Sequence, residues 1–358
     1  VAPVSFTHLR LATIARADGL VVSGVIWFLL FYVFSATFGA VMTPALLSLF
    51  PLPTEAARAL QAGLASVDQS VTATAVPQVA DFFKSIVPSN PIAAAANDQI
   101  LPLVFFTTVF AFALARVAPE RRAAGLGFFE AVGDAMLLVI GWVLWLAPIG
   151  VFALAFAVGA GAGGSALGAV AHYVLILSAL GVIITVLGYV IAIVVARYSP
   201  GTFLRAMAGP SAVALSTRSS LASLPAMLTA AAELGIEQRK ADVVLPLAVA
   251  LFRATGPAMN IGVALYVAHW IGVEISWTGY AAGIAVAAMA SIGAVSLPGQ
   301  ISFVTSIAPI SLALGVPIEP LALLIAVETI PDTFRTLGNV TLDVAVTGAV
   351  SRGDERES

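Results

Sequence analysis

Near the end of the chain, Asp332, Arg335, Asn339 and Asp343 follow Glu328 at 4, 7, 11 and 15 residues. A helix through this stretch sets all five on one stripe. The neighbours are apolar, so the stripe asks for a chemical reason. Arg335 presents a planar fork that matches a carboxylate with two parallel hydrogen bonds. It suits the grip on an anionic solute; the alternative is a buried ion pair with Asp332 or Glu328. Asp332 could accept from an ammonium group or serve only to hold Arg335. Asn339 and Asp343 offer oxygen ligands of the kind a hard cation takes, and Asp343 is alternatively a proton carrier. Glu328 lies close enough to the helix start to be interfacial. Pro331 either frees a carbonyl toward a site or makes a simple kink.

A second signal is "LFRATGPAMN" at 251–260. Gly256 and Pro257 predict a helix break, with Arg253 one turn before it in apolar surroundings. A buried cation demands an anion, and Asp343 is the expected partner. A third, weaker signal is "STRSSLASLP" at 216–225, whose Ser219, Ser220 and Ser223 could cradle a carboxylate or simply form a turn. His8, His172 and His269 have no metal spacing, and no hydrolase or phosphate-loop motif occurs, so an enzyme is not expected.

The composition says which elements must carry these residues. Of 358 residues, 60% are hydrophobic and 10% charged, against about 25% charged in a soluble domain. Mean hydropathy is +1.03. Residues 19–54 and 135–196 lack Asp, Glu, Lys and Arg entirely, and a span needs about 20 apolar residues. The chain therefore reads as an all-α polytopic membrane protein. Its net charge of -3 excludes nucleic acid as a partner, and the absence of Cys excludes thiolate sites. Two apolar blocks, 200–233 and 275–315, are broken mid-way by small and turn residues, which predicts helix, tip, helix. Such a pair points to a solute site built from inverted repeats. Residues 51–100 are less hydrophobic, with a bend at 87–102. A short uncharged link is predicted near 159–164. Arg116, Arg121, Arg122, Arg197, Arg205, Arg239, Lys240, Arg352 and Arg356 mark cytoplasmic ends, whereas 254–334 contains no Lys or Arg. The C-terminus is expected in the cytoplasm and the chain in the cell inner (plasma) membrane.

"NPIAAAANDQILP" (90–102), "APIGVFAL" (147–154), "TRSSLASLPAM" (217–227), "ASIGAVSLPGQ" (290–300) and "DTFRTLGNVTLD" (332–343) together resemble the dicarboxylate/amino acid:cation symporter family, the glutamate transporter homologues. The likeness runs from Val1 to about Gly348. It implies an elevator fold with two re-entrant helical hairpins, assembled as a homotrimer in the lipid bilayer. It assigns 1–19 to part of the second scaffold helix and 20–50 to the third helix, which moves. It assigns 51–158 to scaffold helices and 159–351 to the transport domain with hairpins at about 200–233 and 275–315. Residues 352–358 form a cytoplasmic tail. It also implies that a first helix and part of the second precede Val1.

The resemblance implies substrate-binding roles for Ser220, Asp332, Arg335, Thr336 and Asn339, to which the Ser-rich tip adds Ser219, and sodium ligation by Asn339 and Asp343. It fails in the seventh helix, where the family's Asn-Met-Asp-Gly-Thr falls on Phe252, Arg253, Ala254, Thr255 and Gly256. There Arg253 is expected to stand in for a bound cation. The implied activity is symport of a small anionic solute, above all an acidic amino acid such as glutamate or aspartate, coupled to sodium or protons. A C4-dicarboxylate carrier of the same fold and an uncoupled anion pathway are the alternatives. No cofactor beyond a sodium ion is expected.

Overall fold

The computed structural model describes residues 20–55, 57–58, 87–96, 100–292, 299–325 and 327–357. The readings made above for 1–19, for most of 51–100 and for the second hairpin tip at 293–298 lie outside the described residues. Among the described residues every regular element is a helix: α1 (Leu20–Leu49), α2 (Pro91–Ala96), α3 (Ile100–Ala115), α4 (Pro119–Val194), α5 (Pro200–Ala206), α6 (Ala208–Thr217) and α7 (Ser220–Glu233). They are followed by α8 (Gln238–Leu251), α9 (Gly256–Ile271), α10 (Trp277–Ile292), α11 (Gly299–Leu314), α12 (Leu321–Leu324) and α13 (Thr329–Glu357). Among the described residues, three segments are long and apolar enough to cross a membrane: Trp27–Leu49, Gly168–Val194 and Gln238–Ile271.

The chain divides into two compact units, Pro77–Ala160 and the remainder. Within the first, α2 packs on α3. α3 turns back onto the start of α4: Phe110 meets the edge of Phe129 with ring centroids 5.7 Å apart. Arg122 donates to the Ala115 carbonyl at 3.1 Å, capping α3.

α4 runs without interruption through 159–164, where composition predicts a link. No proline stands between Pro148 and Pro200, so no backbone donor is lost. Glycine alone costs only about 1 kcal/mol per residue in a helix. α13 likewise continues to Glu357 through the predicted tail.

In the second unit, α9 is buried from Gly256 to Trp270 except at His269. α13 is buried from Gly338 to Ser351. Around them α1 and the second half of α4 present two apolar faces. Tyr173, Ile176, Leu177, Leu180 and Ile184 point inward, while Leu175, Val182, Val186, Val190 and Val194 are exposed. A helix apolar all round belongs in lipid.

Small residues bring the helices together, as expected where no hydrophobic force drives association. α1 crosses α9 at Gly39, where an added Cβ would stand 2.6 Å from the Ala258 Cα and 2.8 Å from its carbonyl carbon. Backbone cannot give way as a side chain can. Gly39→Ala is expected to destabilise the protein by about 1–3 kcal/mol through overpacking. Gly201→Ala, in open space, serves as the control. Thermal melts of the two purified variants check this; equal melting of both overturns the close approach.

Candidate functional site

The site lies where the break between α8 and α9 meets the first turns of α13. Phe252 holds the break, stacked on Phe28 at 4.5 Å and meeting the edge of Phe31 at 5.3 Å. Several backbone groups at the break find side-chain partners. The Arg253 N–H points at the Tyr32 hydroxyl at 3.4 Å, and Ser35 Oγ donates to the Ala254 carbonyl at 2.5 Å. The Thr255 N–H donates to Asn339 Oδ1 at 2.9 Å. The single proton of the Thr255 hydroxyl faces both Asn339 Oδ1 (2.7 Å) and the Arg335 carbonyl (2.9 Å). Non-helical backbone survives at membrane depth only with such partners. Gly256 and Pro257 sit just after the break, at the start of α9, where a missing proline donor costs nothing.

α13 begins at Thr329, so Pro331 falls in its first turn rather than inside it. It neither kinks the helix nor frees an internal carbonyl, because first-turn amides lack intrahelical partners anyway. The stripe read from the sequence is buried along its whole length: Glu328, Asp332, Arg335, Asn339 and Asp343 are each at most 7% exposed.

Arg335 Nη2 lies 2.6 Å from Glu328 Oε1, and Nη1 lies 3.3 Å from Asp332 Oδ1. The Glu328 contact is a close ion pair without hydrogen-bond alignment, and Arg335 Nε has no hydrogen-bond partner. The interfacial reading of Glu328 is thereby corrected. Its other oxygen accepts from the Tyr173 hydroxyl at 2.8 Å. Tyr173, Thr255 and Tyr32 were not singled out by sequence; nothing in their local spacing marks them.

The remaining predicted residues are placed less uniformly. Thr336 turns its hydroxyl back to the Asp332 carbonyl at 3.0 Å. Asn339 Oδ1 has both lone pairs engaged by Thr255, so ligating a cation requires it to release one. Asp343 is 1% exposed and neither of its oxygens accepts a hydrogen bond. Arg253, the partner expected from the sequence, acts on it electrostatically. Arg253 also interacts electrostatically with Arg335 and Asp332. A bare, buried carboxylate beside a guanidinium is a position that a bound cation could equally occupy. Ser219 Oγ caps α7 by accepting from the Ala222 N–H at 3.2 Å. Among the described residues, no hydrogen bond joins Ser219 or Ser220 to α13, although α6 and α7 both pack against that helix.

A family model described as the sodium:dicarboxylate symporter family matches residues 2–353. The chain belongs to that family. It is a family of transporters, not of enzymes. A C4-dicarboxylate transport protein of Rhizobium etli is 26% identical over 305 residues, 80% of this chain and 66% of the relative. A proton/sodium-glutamate symport protein of Bacillus subtilis is 31% identical over 265 residues, 74% of this chain and 61% of the relative. Neutral amino acid transporter A of Homo sapiens is 28% identical over 262 residues, 70% of this chain and 47% of the relative. The chain thus spans less than two-thirds of the length of each of these relatives. Their names cover three solute classes, so membership in the sodium:dicarboxylate symporter family sets the kind of protein and leaves the solute to the site.

Proposed function

We propose that this chain forms the solute-carrying part of a secondary active transporter for acidic amino acids such as glutamate or aspartate, moved together with a cation. Arg335 carries the reading. It is 5% exposed in an apolar chain, it stands against the carboxylates of Glu328 and Asp332, and its Nε has no hydrogen-bond partner. A solute carboxylate fits that fork, replacing Glu328, which serves as the resident counter-charge. Asp332 beside it accepts from the solute ammonium, and Thr336, Asn339 and the Ser219–Ser220 tip complete the cradle once Thr336 and Asn339 turn from their present partners.

Charge balance supports coupling. Among the described residues, the carboxyl groups of Glu328, Asp332 and Asp343 stand with the two guanidiniums of Arg335 and Arg253, so no cationic group is left over for an arriving anion. A further negative charge at membrane depth is costly, and a sodium ion or proton travelling with the solute relieves it. Asp343 and Asn339 are the oxygen donors nearest to that task, with Arg253 in the place of one cation.

Helices α6 and α7 form the first re-entrant hairpin, entering from the cytoplasm, and α10 and α11 the second, entering from outside. α1, α4 from about 159 onward and α5–α13 move as an elevator against scaffold helices within 51–158. A boundary between compact units at Ala160 supports a division near 159, and the continuous α4 would have to give way there for the two parts to move. The assembly is a homotrimer in the plasma membrane, its C-terminus in the cytoplasm, as the distribution of Lys and Arg supports.

One observation favours a second reading. Arg253 and Arg335 are near enough to interact, so each could hold one carboxylate of a C4-dicarboxylate. A binding screen of glutamate, aspartate, succinate and malate, with and without sodium at two pH values, separates the two. Binding of the amino acids alone supports the first reading; binding of the diacids alone replaces it. Saturable uptake with counterflow is expected in proteoliposomes, and flux that never saturates rules out a carrier.

A further inference from the structure

We propose that the chain holds a second anion site, for a phosphate group, at the Lys/Arg-rich end of the second unit and away from the Arg335 cluster. A pocket of 370 Å³ opens there, lined by Arg197, Tyr198, Leu234, Gly235, Ile236, Ser351 and Arg352. Both charged residues in its lining are arginines. The neighbouring Glu237 does not line it and is engaged by Arg239 at 3.8 Å and Lys240 at 4.0 Å.

The geometry around the two arginines is built rather than incidental. Arg352 lies over the Tyr198 ring, 4.9 Å from its centroid, and Tyr198 stacks on the buried Phe203 at 6.1 Å. Gly348 makes this fit, because an added Cβ there would stand 2.6 Å from the Tyr198 ring. Lys240, 6% exposed, donates to the Ser351 carbonyl at 3.1 Å and fixes the wall from behind. A guanidinium over an aromatic ring is attracted through the ring face and still has N–H donors to offer an anion.

Arg197 supplies the independent observation. It closes α4 in a left-handed conformation, φ 55°, with the Tyr198 N–H returning to the Ala192 carbonyl at 3.0 Å. This is the helix-ending turn that glycine favours. Across the pocket the same kind of turn ends α7, and there the residue is Gly235, φ 75°. One turn of the pocket uses the relaxed residue, and the other tolerates strain to keep an arginine in the lining that also holds Arg352. Two arginine forks across a small pocket recognise a tetrahedral oxyanion. The phosphate could belong to a lipid headgroup or to a soluble phosphate compound; the chemistry is shared.

The experiment uses the full chain purified in a neutral detergent. Inorganic phosphate is titrated while melting is followed, and phosphatidylglycerol and phosphatidylcholine are compared by native mass spectrometry. Phosphatidylglycerol bound in preference to phosphatidylcholine, with no response to inorganic phosphate, assigns a lipid headgroup. A melting shift with inorganic phosphate that competes with the lipid assigns a soluble anion. In either case Arg197→Gly should weaken binding about tenfold or more. Its own melting point should not fall, because glycine suits that backbone. Arg352→Gln should weaken binding similarly, and neither variant should alter solute binding at Arg335. If neither probe binds the parent chain, the proposal is overturned. It is equally overturned if both variants bind as the parent does, or if Arg197→Gly only lowers stability, which would make the side chain a counter-charge for the helix end.

Discussion

In proteoliposomes, the Arg335→Ala chain is expected to lose saturable uptake of acidic solutes altogether and, once purified, to melt well below the parent. Arg335 faces Glu328 at 2.6 Å and Asp332 at 3.3 Å, and all three are buried. Removing the guanidinium leaves two carboxylates at membrane depth without their counter-charge. Breaking a buried pair from one side costs about 3–5 kcal/mol, which is a large share of the stability of most domains. Loss of uptake from that variant alone would not separate binding from folding, so Arg335→Lys is the informative partner. Lysine keeps the charge and most of the ion pairing but offers a point instead of a fork. It should recover much of the melting temperature while solute affinity stays at least about tenfold reduced, a loss of roughly 1.4 kcal/mol. An Arg335→Lys chain that binds acidic solutes as tightly as the parent removes the basis for a bidentate grip. An Arg335→Ala chain that still transports removes the basis for the site.

The second large effect concerns Arg253 and Asp343. Asp343 is 1% exposed, accepts no hydrogen bond and feels Arg253 as its charged neighbour. Arg253→Met removes that neighbour and keeps the apolar stem. The stranded carboxylate should lower stability by on the order of several kcal/mol at low sodium. Sodium should then return part of it, because an ion that binds only the folded chain stabilises it by mass action, about 2.7 kcal/mol at a hundred times its dissociation constant. Melting curves in sodium chloride and in choline chloride at equal ionic strength measure this. The gap between the two salts should be wider for Arg253→Met than for the parent, and it should close again in the double variant Arg253→Met with Asp343→Asn. A single variant with unchanged melting and unchanged ion dependence would show that Arg253 does not take a cation's place.

Parts of this site could be read directly from residue order. The 4, 7, 11 and 15 spacing of Asp332, Arg335, Asn339 and Asp343 from Glu328 is a helical period, and it survives folding because a helix fixes which residues share a face. The break near Gly256 and Pro257 was readable for the same local reason, since both residues act on their own backbone. Glu328 was misjudged because it lies just before the first turn of α13, where periodicity no longer says which way a side chain points. Pro331 was misjudged because its effect depends on where the helix starts. The continuous course of α4 through 159–164 shows the limit of composition: glycines weaken a helix without ending it.

Sequence alone determined the class of the protein, its family, and the stripe of charges that an apolar chain does not carry without cause. Those follow from composition and from periods of a few residues, which act along the chain. Only the tertiary structure decided which partners each charge takes. Tyr173 reaches Glu328 across 155 positions and Thr255 reaches Asn339 across 84, and Gly39 admits Ala258 to backbone contact. Such pairings depend on how whole helices cross, a long-range geometry that is summed over many weak packing contacts and written in no single stretch of residues.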